Sequence, residues 1–141
     1  MIQAVKAGLL YFFGVICAGI LLGGIRLMLL VPTLGDTLAV SIEVPVMLLL
    51  CWILCGRAIA LFEIVPQWPD RLLMGVVAFC CLLTAEWVLA IVLFGQTTTQ
   101  FLASFLLAAG LIGLAGQVLF ACLPLLHMLL YRNKRQRSAR F

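Results

Sequence analysis

Four apolar runs, each long enough to cross a bilayer, take up most of this chain and leave it few ways to fold. They fall at about 8–31, 38–62, 71–94 and 101–131. A membrane helix needs roughly 20 predominantly apolar residues. Composition agrees: 66% of residues are hydrophobic, 10% are charged, and the mean hydropathy is +1.28. A water-soluble domain of 141 residues could not hide so much apolar surface. The pattern predicts an all-α polytopic membrane protein, with four antiparallel transmembrane helices and short loops over 1–131 and a basic tail over 132–141. Consecutive helices are expected to be antiparallel neighbours.

Turn signals separate the runs. Pro32 and Gly35 punctuate the first connection, and Asp36 or Thr37 is placed to cap the helix that follows. Pro66 and Pro69 break the second, beside Trp68, a residue type favoured at the membrane interface. Gly95 through Gln100 forms a short uncharged polar loop. Lys6 before the first apolar run resembles the start of a signal peptide. The run is too long for such a peptide's core and lacks a small-residue cleavage site, so it is expected to be a helix of the mature protein. Pro124 is expected to kink the fourth helix.

Basic residues orient the chain. With both termini in the cytoplasm, eight of the nine Lys and Arg residues lie inside and only Arg26 lies toward the outer face. Five of them form the tail: Arg132, Lys134, Arg135, Arg137 and Arg140. A basic tail directly after a membrane helix is expected to contact anionic lipid headgroups, not nucleic acid.

Three ionisable residues interrupt the apolar runs: Arg26, Glu43 and Glu86. A charge in hydrocarbon is costly, so each is a candidate functional residue. Helical rise puts Arg26 ~9 Å, Glu43 ~8 Å and Glu86 ~13 Å below the outer ends of their helices. Three residues on three helices thus reach nearly one layer, where an ion-paired cluster is cheaper than isolated charges. One Arg with two Glu leaves surplus negative charge if all ionise, so one carboxyl is expected to hold a proton. Gln117 is the strongly polar uncharged residue deep in the fourth run, placed to line a cavity or to bond across helices. Gly19 and Gly23 share a face with Arg26, and Ala109, Gly113 and Gly116 form a similar stripe on the fourth helix. Such stripes predict close helix packing, within the chain or with a second copy.

Other chemistry has little support. The six cysteines all sit in apolar runs, where a free thiol behaves as a small hydrophobe. Cys51 and Cys55 share a helix face but lack the spacing of a redox pair. His127 is the single histidine, so bis-histidine haem ligation within the chain is excluded and a histidine-built metal site is not expected. No phosphate loop, nucleophile elbow or dinucleotide fingerprint occurs. No catalytic residue, cofactor or metal is expected.

The string from Gly24-Ile25-Arg26 through Val31-Pro32-Thr33-Leu34-Gly35 to Ala39-Val40-Ser41-Ile42-Glu43-Val44-Pro45 resembles a family of small bacterial four-helix inner-membrane proteins. Ala85-Glu86 and Phe120-Ala121-Cys122-Leu123-Pro124-Leu125 extend the likeness over most of the chain. The resemblance implies a bacterial cytoplasmic membrane and a four-helix architecture; it implies no activity, substrate or partner. Small multidrug transporters fit less well, because they carry their essential Glu in the first helix, where this chain has Arg26. Fluoride channels match only over Gly23-Gly24-Ile25-Arg26. The leading expectation is a non-enzymatic accessory or interaction subunit, partnered by the bilayer and by a second copy or another membrane protein. The alternative is a proton- or cation-coupled small transporter working as an oligomer.

Overall fold

The computed structural model describes residues 1–138, with side chains through Tyr131. It is all-helical in its regular elements: α1 (Ile2–Ile25), a π-helical turn (Arg26–Leu30), α2 (Val31–Leu34), α3 (Asp36–Leu61), α4 (Trp68–Phe94), α5 (Thr98–Ser104) and α6 (Ala108–Ser138). Four segments are long and apolar enough to cross a membrane: Ile2–Leu34, Asp36–Leu61, Trp68–Phe94 and Ala108–Tyr131. Helices are the natural answer in lipid, because every backbone polar group is satisfied within its own segment. The chain is a multi-pass membrane protein.

The helices do not sit in chain order around the bundle. α1 packs against α3 and α4, and α6 packs against the same two. α3 and α4, though consecutive, therefore stand opposite each other, which corrects the expectation that consecutive helices are neighbours. The connection makes this possible. Six residues (62–67) reach about 20 Å, and the diagonal of a bundle with 10 Å sides is about 14 Å. Arg71 fixes the crossing, its Nη2 donating to the Ile64 carbonyl at 2.8 Å. Around the bundle, two neighbouring pairs are antiparallel and two are parallel.

The fourth apolar run also divides differently from its expected 101–131. Thr97 begins a separate short helix with a reciprocal cap. Its Oγ1 accepts from the Gln100 amide at 3.2 Å, and its own amide donates to Gln100 Oε1 at 2.8 Å. The chain then turns at Phe105–Leu107, where Gly110 packs directly on the Ser104 carbonyl. α6 starts only at Ala108. An unbroken apolar stretch carries no sign of such a turn, because hydropathy measures burial and not backbone direction.

Proline explains two local features. Pro32 has no N–H for the Met28 carbonyl, and its ring crowds that carbonyl. The preceding turn widens to π geometry, and Thr33 Oγ1 donates to the Leu29 and Leu30 carbonyls at 2.9 and 3.1 Å. Pro124 likewise leaves the Phe120 carbonyl without its helical donor. The Tyr11 hydroxyl reaches across the bundle from α1 and donates to that carbonyl at 3.2 Å.

The core lies in the half nearer the chain termini, here called proximal. Ala7, Tyr11, Val15, Cys51, Cys55, Ala58, Met74, Ala78, Leu82, Phe120 and Leu123 form one buried cluster. Removing the Tyr11 hydroxyl would strand a buried carbonyl, a loss of roughly 1–3 kcal/mol. Tyr11→Phe is expected to lower stability by that amount in reversible unfolding, with helix content unchanged.

Candidate functional site

The distal half holds the polar residues. The π-helical turn begins at Arg26 and carries it toward α3, where Arg26 Nε lies 2.7 Å from Glu43 Oε2. The N–H is not aimed at the oxygen, so the contact is an ion pair of close approach without an aligned hydrogen bond. Arg26 keeps 27% of its side chain exposed and Glu43 keeps 15%. On the opposite side, Gln117 of α6 donates from Nε2 to Glu86 Oε2 of α4 at 2.5 Å. Gln117 Oε1 is buried and has no donor. Arg26 is close enough for its charge to act on Glu86 as well as on Glu43.

Four residues from four membrane segments thus form two linked pairs. Arg26–Glu43 ties α1 to α3, and Glu86–Gln117 ties α4 to α6. No hydrogen bond joins Glu43 to Glu86 among the described residues. The two carboxyls therefore share Arg26 as a neighbour; they do not form a carboxyl–carboxyl pair. The arrangement can neutralise charge and lock helices. It presents no nucleophile beside a base.

The small-residue stripes divide. A Cβ on Gly116 would lie 3.1 Å from Val44, so this glycine does bring α6 against α3. A Cβ on Gly19 would only reach ordinary contact with Met47, at 3.8 Å. Gly23 and Gly113 have nothing within 4 Å of that position, so of the two partners expected for them the chain's own helices are not the ones they meet. Ala109 is half-buried near the start of α6. Between membrane segments the tightest approaches lie in the proximal half, at Gly8 against the Met74 carbonyl (2.8 Å) and at Gly75 against the Ala121 carbonyl.

Sequence reasoning missed Arg71, which it read only as an orienting charge. The residue is 5% exposed, and its Nε and Nη1 are buried with no acceptor. Its place in the first turn of α4 gave no hint that the side chain folds inward. His127, for which no metal role was expected, is half-buried. Its ring stacks on Trp52 at 3.7 Å, with Nε2 3.1 Å from the Trp52 carbonyl.

Among the described residues, no group of three or more His, Cys, Asp and Glu is placed to hold a metal. The cysteines there are free. Of the basic tail, Arg132, Lys134, Arg135 and Arg137 lie on the helical backbone of α6, their side chains outside those described, and Arg140 lies beyond the described residues. No protein-family model, curated protein or solved structure matches this chain. The family resemblance read from the sequence gains no support from these comparisons.

Proposed function

We propose that this protein is a small non-enzymatic subunit of the bacterial cytoplasmic (inner) membrane, acting as an accessory or interaction partner of other membrane proteins or of its own copies. One observation carries the reading. On its proximal side the Arg26–Glu43–Glu86–Gln117 cluster is backed by the packed apolar layer of Val15, Cys51, Leu82 and Phe120. A transporter needs a polar route past its ion-binding residues, and that layer is dry in character. The cluster is suited instead to holding four helices in a fixed arrangement on which a partner can dock.

The test is coupled flux in proteoliposomes, with and without a pH gradient. The purified protein is expected to give none. Glu86→Gln is expected to insert, fold and support the native assembly normally, since the amide mimics a neutral acid. Coupled flux by the native protein, abolished in Glu86→Gln, would overturn the reading in favour of a proton- or cation-coupled oligomeric transporter.

The same proposal places both termini in the cytoplasm, supported by the bias of basic residues toward the end of the bundle that holds the termini. A C-terminal reporter fusion is expected to read cytoplasmic, and a cysteine at Thr98 is expected to label from outside. Removal of the basic tail by external protease in right-side-out vesicles would reverse the orientation. The tail is expected to contact anionic lipid headgroups.

A further inference from the structure

We propose that the distal end of the first membrane segment, Arg26 to Leu34, is a hinged flap latched beside the polar cluster by the Arg26–Glu43 ion pair. The inference deepens the reading above by assigning that cluster a conformational control.

Three independent features meet in this segment. First, its backbone departs from the α-helix. The turn from Arg26 to Leu30 is π-helical, and single π turns inside helices are frequent at functional sites. Second, it is hardly packed. No residue from Arg26 to Leu34 is buried, and Leu27, Met28 and Leu29 are exposed. Third, it is flanked by conformationally free positions. Gly23 and Gly24 precede it with nothing within 4 Å of either Cβ position, and Gly35 follows at a φ of 79°, in the region that favours glycine.

Against this freedom stands one side-chain tether. Thr33 bonds only within the segment, to Leu29 and Leu30. Among the described residues, the Arg26–Glu43 contact is the only side-chain hydrogen bond or ion pair joining the segment to another helix. When Arg26 leaves Glu43, nothing polar holds the flap against α3. The segment can then pivot at the π turn that Pro32 imposes and at the glycines on either side. Arg26 leaves the cluster with it, which removes the charge that acts on both Glu43 and Glu86. The latch is thus a switch on the charge state of the cluster, and its release opens the α1 side of the Glu86–Gln117 pair.

Amide hydrogen exchange in nanodiscs tests this without any partner, so it can fail or hold independently of the proposed function. Arg26→Gln and Glu43→Gln are each expected to speed exchange over residues 27–34 by about tenfold, leaving residues 4–22 unchanged. The double variant Gly23→Ala with Gly24→Ala has room for both methyl groups, and in the Arg26→Gln background it is expected to slow exchange over 24–34 again. Unchanged exchange over 27–34 in both latch variants would overturn the proposal. So would acceleration spread evenly along α1, which would mean general unfolding, or a failure of the alanines to slow the freed segment.

Discussion

Replacing Gly75 with alanine is expected to destabilise the protein by about 3 kcal/mol, the upper part of the usual range for overpacking. A Cβ at this position would collide with the carbonyl oxygen of Ala121. That oxygen belongs to backbone, so no rotamer change relieves the clash. α4 or α6 would have to move apart, and both are pinned nearby. Met74 is fully buried beside the glycine, and Pro124 lies 3.7 Å from the same Cβ position. Moving α6 would also disturb the Phe120 carbonyl and its Tyr11 donor. The contrast is Gly23→Ala and Gly113→Ala, where the methyl group meets open space. Alanine is the better helix former by about 1 kcal/mol, so these two are expected to be neutral or slightly stabilising. Denaturation of the three variants in one detergent, followed by tryptophan fluorescence, should separate Gly75 from the others. Equal midpoints would mean that α4 and α6 are not in the close contact described.

The different visibility of these glycines shows what the sequence carried and what it did not. Hydropathy marked four spans because burial in lipid depends on length and apolar content, which are local properties. The layer shared by Arg26, Glu43 and Glu86 was legible for a similar reason: helical rise converts sequence position into depth. Lateral order was not legible. Nothing in the Glu63-to-Asp70 connection says that it crosses the bundle, because the crossing rests on an Arg71–Ile64 contact that exists only after folding. The glycine stripes left their partners open in the same way. Gly19 and Gly23 have the spacing of a packing motif, yet what decides packing is the residue opposite, and spacing along one helix does not reveal it. Gly8 and Gly75 make the closest approaches between membrane segments while lying in no stripe. Thr97 and Gln100 did carry a readable signal for the start of α5, since a threonine three residues ahead of a glutamine is a helix-start signature.

The largest charge effect is expected at the Arg26–Glu43 pair, and a double-mutant cycle isolates it. Arg26→Met leaves Glu43 without its cation, and Glu43→Leu strands Arg26. Breaking a buried pair from one side costs about 3–5 kcal/mol. The 27% exposure of Arg26 gives it some access to the membrane interface, so each single change is expected near 3 kcal/mol, the lower end of that range. The second change removes the charge that the first one stranded. The double variant Arg26→Met with Glu43→Leu should therefore be less damaged than either single variant, which requires a coupling of more than about 3 kcal/mol, the upper end of the usual range. Glu86 sharpens the test. Glu86 bonds Gln117 and not Arg26, so Arg26→Met paired with Glu86→Gln should be close to additive. Glu43→Leu paired with Glu86→Gln should be additive, because no bond joins those two side chains. If the Arg26–Glu43 double variant is instead as unstable as the sum of its singles, the ion pair contributes nothing. Its place as the tie between α1 and α3 would then pass to the apolar contacts of the proximal core.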